Sequence, residues 1–180
     1  MNHNTDPLEE IGMDPLTGLQ GLGSFEVRLG AEVARIRRHG GQLGLALIDL
    51  DSLEEFNRRQ SRAVGDDVLR SVSRCLSQVR GEDAAFRIGE DEFAIIFVAV
   101  GLNGARAAMR RLDAAVRADE GCRRIGLSWG LAALTGGDPA ALVASAGGQL
   151  LQVKRTRTRR PVAIGPSMTD PSAAEGAIFR

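Results

Sequence analysis

The sequence predicts an α+β domain of ferredoxin-like palm architecture: a mixed, mainly antiparallel sheet flanked by helices, with core order β-α-β-β-α-β. Three observations carry this expectation. Short apolar runs alternate with stretches of helical period along most of the chain. Two of those runs, 84–88 and 93–98, are separated only by the polar turn Gly89-Glu90-Asp91-Glu92, which makes them a β-hairpin with acids at its tip. And 180 residues is close to one domain's worth of chain, too short for two good cores.

Taken in order, Asp14-Pro15-Leu16-Thr17-Gly18-Leu19 reads as a turn entering a helix. Phe25, Leu29, Val33 and Ile36 recur at spacings of four and three, so a helix runs to about His39 and stops at Gly40-Gly41. The continuous apolar run 43–48 is a strand buried on both faces, closed abruptly by Asp49-Leu50-Asp51. Val68, Leu69, Val72, Cys75, Leu76 and Val79 give helical spacing over 64–79, and the hairpin follows. A helix over 104–118, a strand over 125–132 and a last helix over 138–155 complete the core, and Pro161-Val162-Ala163-Ile164 is expected to form a short closing strand. Residues 1–12 and 165–180 read as flexible tails around a single domain at 13–164.

The composition narrows the function classes. Lys+Arg 23 against Asp+Glu 23 gives zero formal charge, so no global field marks a nucleic-acid or membrane partner. Hydrophobic content of 43% and mean hydropathy of −0.09 exclude disordered, collagen-like and membrane-spanning chains. Cys75 and Cys122 fit neither a disulfide framework nor a C-x-x-C metal site, and the polar start lacks an apolar signal-peptide core. A small cytoplasmic domain is expected. Lys154 is the one lysine beside 22 arginines, so composition does not explain it, whereas single arginines are unremarkable.

Two acidic groups fall at strand ends, Asp49-x-Asp51 after the first strand and Asp91-Glu92 on the hairpin. In a palm sheet these ends are neighbours, so three or four carboxylates converge. Hard oxygen ligands at that density suit Mg²⁺ with nucleotide phosphates. Alone, an Asp-x-Asp pair is most often two solvated loop acids, and the spacing is not that of an EF-hand, because Glu54 and Gln60 occupy its glycine and glutamate positions.

The combination resembles a known family. Asp14-Pro15-Leu16-Thr17-Gly18-Leu19, Asp49-x-Asp51 with Asn57 and Gly65-Asp66-x-x-Leu69, Arg87-Ile88-Gly89-Glu90-Asp91-Glu92-Phe93, and Ser128-Trp129-Gly130-Leu131-Ala132 stand in the order and spacing of a GGDEF domain. That is the diguanylate cyclase module of bacterial cyclic-di-GMP signalling, with a nucleotide-cyclase-like fold. The resemblance spans residues 14–160. It implies that two GTP-loaded domains face each other, each 3′-hydroxyl attacking the other's α-phosphate with release of pyrophosphate. By position, Asp49, the Leu50 carbonyl and Asp91 would hold Mg²⁺ if GTP is bound, and Glu92 would help activate the hydroxyl. Asn57 and Asp66 would bond the guanine edge, for which helix capping is the bland alternative. Lys154 would contact phosphate.

Several positions depart from the pattern. The second signature glycine is Glu90, and a loop lysine that meets the triphosphate is Glu54. Arg58, Ser61-Arg62, Gly21-Leu22 and Thr158 replace further family residues. A second site resembles the family better: Arg80-Gly81-Glu82-Asp83 stands in the register of the R-x-x-D inhibitory site for cyclic-di-GMP, with Arg111 where a supporting arginine is found. An arginine fork reads the O6/N7 edge of guanine, and an aspartate accepts from its N1–H and amino group. The expectation is a degenerate GGDEF domain with little or no cyclase activity that binds cyclic-di-GMP as a receptor or regulatory module. An active cyclase, or a GTP-binding or dimerising scaffold, are the alternatives. The implied partners are cyclic-di-GMP, GTP if that site is filled, and a second copy of the chain or an unidentified protein, with no DNA and no membrane.

Overall fold

A computed structural model of the chain describes residues 12–122 and 125–158. The expected closing strand at 161–164 and both tails (Gly12 apart) lie outside the described residues.

Helix α1, Leu22–His39, buries Phe25, Leu29 and Val33 and ends where Gly40 adopts φ 71°, its amide closing on the Ile36 carbonyl. Arg37, Arg38 and His39 in the last turn complement the negative end of the helix. Strand β1, Leu43–Asp51, is buried along nearly all its length. It is followed by α2, Leu53–Arg59, and α3, Arg62–Leu76. Strands β2, Ala84–Arg87, and β3, Glu92–Val98, form the hairpin. Helix α4, Leu102–Ala118, a 3₁₀ turn at Glu120–Cys122, strand β4, Gly126–Ala133, and helix α5, Pro139–Thr158, complete the described chain.

The sheet order is β2-β3-β1-β4, and all three pairings are antiparallel. The two β-α-β units interleave, each keeping its own parallel strands apart by inserting a strand of the other, so no parallel pair forms among the named strands. One face, with Ile48, Leu50, Phe93, Ile95, Phe97 and Leu127, packs on α3 and α4 through Val68, Val72, Leu76, Met109 and Leu112. The other, with Leu45, Phe86, Ala94 and Ile96, packs on α1 and α5 through Phe25, Leu29, Val33, Leu142 and Ala146. The rings of Phe25 and Phe86 meet edge to face at 5.6 Å. Both cysteines are free and buried, and burial pushes the Cys122 thiol up to about 12, so it stays protonated. Among the described residues no helix is long and apolar enough to cross a membrane.

Candidate functional site

The alternation of β1 sends Asp49 and Asp51 to the same face of the sheet, at the strand's C-terminal end. Register places Glu92 of β3 opposite Asp49, and Ser128 of β4 on its other side. The Leu50 amide donates to the Asp91 carbonyl at 3.1 Å, and this bond fixes the hairpin tip against the end of β1. In an antiparallel strand a residue's amide and carbonyl point to the same side, so the Leu50 carbonyl also faces the tip.

Two cations from α5 reach these acids. Lys154 forms an ion pair with Asp49, whose side chain is only 8% exposed. Arg157 pairs with Asp51 and donates to the Leu127 carbonyl at 2.7 Å and to Ser128 Oγ at 3.3 Å, while Ser128 Oγ donates to Asp51 at 2.6 Å. Burial pushes the Asp49 carboxyl above its ordinary range and the charges of Asp91 and Asp51 push the same way, against the pull of Lys154. Among the described residues no three His, Cys, Asp or Glu side chains group as a metal site. Asp49 and Asp51 are thus each paired with a helix cation, while Glu92 stands opposite Asp49 and Asp91 is near enough for its charge to act on it. Asp49, the Leu50 carbonyl and Asp91 nevertheless make an all-oxygen set. Oxygen donors of this kind are the chemistry that a hard cation such as Mg²⁺ prefers.

Beside the hairpin tip lies a cleft of about 510 Å³ between α2, α3 and the turn at Asp14, lined among others by Leu53, Asn57, Arg62, Asp66, Leu69 and Glu90. Neither Asn57 nor Asp66 caps a helix. Asn57 lies inside α2, and α3 is capped by Ser61, whose Oγ accepts from the Val64 amide at 3.3 Å. Gly65 makes room for Asn57, because any Cβ there would overlap its amide oxygen. That oxygen is buried and has no hydrogen-bond partner among the described residues. An orphaned buried acceptor costs about 1–3 kcal/mol, which a donor on a ligand would recover.

Arg87 holds the signature turn in place. Its Nη1 donates to both carboxylate oxygens of Asp14 at 3.0 and 3.1 Å, its Nε to the Gly89 carbonyl at 3.1 Å and its Nη2 to the Glu90 carbonyl at 2.8 Å. Asp14 in turn accepts from the Thr17 amide and hydroxyl at 2.8 and 2.5 Å. Burial alone would raise the Asp14 carboxyl, but these bonds from Thr17 and Arg87 hold it below its ordinary value. Glu90 is exposed, and its backbone is not among the positive-φ positions, so replacing glycine brings no backbone strain here. Strain lies instead at Ser52, which follows Asp51 with φ 61° in the left-handed region.

Arg80 and Asp83 do meet. Arg80 Nε donates to Asp83 Oδ2 at 2.9 Å and Nη2 to the Val98 carbonyl at 2.9 Å, while the Val98 amide donates to Asp83 Oδ1 at 2.9 Å. The Arg80 side chain is 56% exposed and that of Asp83 only 2%. Asp83 therefore faces inward with both oxygens bonded, and it anchors Arg80 to the end of β3. Arg111 is exposed on α4 and makes no hydrogen bond or ion pair among the described residues. Sequence reasoning missed Arg157 and the cleft position of Arg62. The signal for Arg157 was its place three residues after Lys154, on the same helix side.

The sequence profile described as "Diguanylate cyclase, GGDEF domain" matches residues 11–160. The chain belongs to the GGDEF family. It is 36% identical over 118 residues to the diguanylate cyclase DgcP of Pseudomonas aeruginosa, covering 65% of this chain and 18% of that protein. It is 32% identical over 121 residues to the diguanylate cyclase DgcS of Shewanella oneidensis, covering 67% of this chain and 40% of DgcS. The chain thus spans less than half the length of either relative. Among solved structures, SiaD of P. aeruginosa, a diguanylate cyclase in complex with its activator SiaC, matches with TM-score 0.75 and 30% identity, over 83% of this chain and 60% of that one. The GGDEF domain of DgcB from Caulobacter crescentus, in complex with cyclic-di-GMP, matches with TM-score 0.75 and 25% identity, over 81% and 88%. The GGDEF signature here is the hairpin tip Gly89-Glu90-Asp91-Glu92-Phe93, clamped by Arg87.

Proposed function

We propose that this GGDEF domain has lost most or all cyclase activity and serves as a cyclic-di-GMP receptor or regulatory module. The observation that carries the first half is that Glu90 lines the same cleft as Asn57 and Asp66. A glycine there leaves the turn open to a nucleotide, whereas a glutamate brings a negative charge to the place where a triphosphate would lie. Glu54 adds a second acid, one helical turn before Asn57 on α2. Asp49, the Leu50 carbonyl and Asp91 would still hold Mg²⁺ with GTP, Lys154 would meet phosphate on leaving Asp49, and Glu92 stands beside them. When bound, the metal would neutralise phosphate charge. What fails is the approach of the triphosphate.

The second half is supported by Arg80, whose half-exposed guanidinium is oriented by the buried Asp83, and by the cyclic-di-GMP complex of the similar DgcB domain. In this reading Arg80 reads the guanine O6/N7 edge, Asp83 holds it in place until the ligand arrives, and Arg111 supports from α4.

The test is incubation of the purified chain with GTP and Mg²⁺, followed by chromatography of the products. Little or no cyclic-di-GMP is expected at neutral pH. Glu90→Gly alone should not restore full turnover, because Glu54 remains. Ready turnover by the unaltered chain would contradict the proposal.

A further inference from the structure

The last turns of α5 bring two cations to the carboxylates at the end of β1, and the helix that carries them is held from behind. Helix α5 rests directly on β4, since a Cβ on Gly130 would overlap the Ala146 carbonyl and the Leu150 amide. Arg157 fastens the other end. It pairs with Asp51, and the same Nη1 donates to the Leu127 carbonyl and to Ser128 Oγ, so acceptors on two strands hold one guanidinium. Lys154 lies between these two anchors, three residues before Arg157 on the same side of the helix. A fixed stretch of backbone therefore delivers its ammonium to Asp49.

Asp49 is the less accessible of the two acids, its side chain 8% exposed against 29% for Asp51. A carboxylate with so little open surface has few places for a second cation, so ammonium and metal ion contend for the same oxygens. A tethered group competes as though present at about millimolar concentration or above. A site closed about nine-tenths of the time binds its ion roughly tenfold more weakly.

We propose that Lys154 is a built-in counter-cation that keeps Mg²⁺ off Asp49, and that Arg157, through Asp51 and Ser128, positions it there. The inference rests on the reading of Asp49, the Leu50 carbonyl and Asp91 as a metal site. That site is then closed by default, a second barrier to catalysis that is independent of Glu90 and Glu54.

The test is titration of the full chain, free of nucleotide, with Mn²⁺, which shares the oxygen preference of Mg²⁺ and is counted when unbound by its electron paramagnetic resonance signal. Thermal melts confirm that each variant folds. Lys154→Gln should bind Mn²⁺ roughly tenfold more tightly than the unaltered chain. Adding Asp49→Asn to that variant should remove the gain, which locates the ion. Arg155, exposed one residue further on and without a printed partner among the described residues, controls for the loss of one positive charge, and Arg155→Gln should change affinity less than about twofold. Asp51→Asn with Arg157→Gln removes the fastening at constant net charge and should tighten Mn²⁺ about two- to fivefold. Equal affinity in Lys154→Gln and the unaltered chain, or an equal gain from Arg155→Gln, overturns the proposal and leaves the loss of turnover ascribed to Glu90 and Glu54 standing. No effect of the Asp51–Arg157 pair overturns the positioning role. If no variant binds Mn²⁺, or Asp49→Asn leaves the gain intact, the metal reading falls and the proposal with it.

Discussion

Asp49 combines a structural cost with a proposed role at the metal site. Its carboxylate is buried, and burial raises its pKa despite Lys154. The sign follows directly. A carboxyl whose folded pKa exceeds its unfolded value binds its proton more tightly in the folded state, so stability falls as pH rises from the ordinary 3.8 through the raised value. Asp49→Asn should match the wild type below that window and be the more stable of the two above it. Urea unfolding from pH 3.5 to 7 measures this, and identical pH dependence in both proteins would contradict it. Asp14 acts in the opposite direction, its lowered pKa giving stability that is lost only as pH falls below 3.8, so the difference between the two proteins isolates Asp49. Asp49, Asp91, Asn57, Asp66 and Lys154 were legible as residues because the spacing of their motifs identifies them. The inward turn of Asp83 was not, since an R-x-x-D string does not say whether the aspartate faces solvent or the end of β3. Nor was Arg157, because the resemblance puts a basic residue at the fourth position after Lys154, where Thr158 stands, whereas the ion pair comes from the third.

Among the elements, the close approach of α5 to β4 explains the glycine in Ser128-Trp129-Gly130-Leu131-Ala132. A Cβ on Gly130 would overlap the Ala146 carbonyl and the Leu150 amide, both backbone groups that cannot swing aside. Gly130→Ala should therefore destabilise the fold by about 1–3 kcal/mol, the range for overpacking a tight site. Gly148 lies in α5 with nothing near its Cβ position, so Gly148→Ala should stabilise by about 0.5–1 kcal/mol through helix propensity. Chemical denaturation of both variants checks the pair, and equal effects would contradict this packing account. Strands and long helices were legible because their apolar periods are strong. Helix α2 was not, because only Leu53 of its seven residues is buried and no apolar stripe forms. The same stretch carries Asn57, so the element least visible in the sequence is the one that presents a residue proposed to read guanine.

At the scale of the molecule, the two surfaces proposed to meet nucleotide differ in character. The cleft carries Glu90, with Glu54 nearby on α2, and Asp49 and Asp51 are covered by α5 cations. At the end of β3 the chain holds a half-exposed arginine clamped by a buried aspartate, the arginine proposed to read a guanine edge. The β-α-β-β-α-β order was readable from the hairpin and the alternating periods. The all-antiparallel pairing of the four strands was only partly so, because it depends on how the two units interleave rather than on any local signal. The measurement that tests this account most directly is calorimetric titration of cyclic-di-GMP into the unaltered chain and into Arg80→Ala. Binding with a dissociation constant of about micromolar is expected, weakened roughly ten- to hundredfold by Arg80→Ala, the range for a lost charge-assisted hydrogen bond. No heat and no thermal shift with ligand well above that concentration, or equal affinity in both proteins, would contradict it.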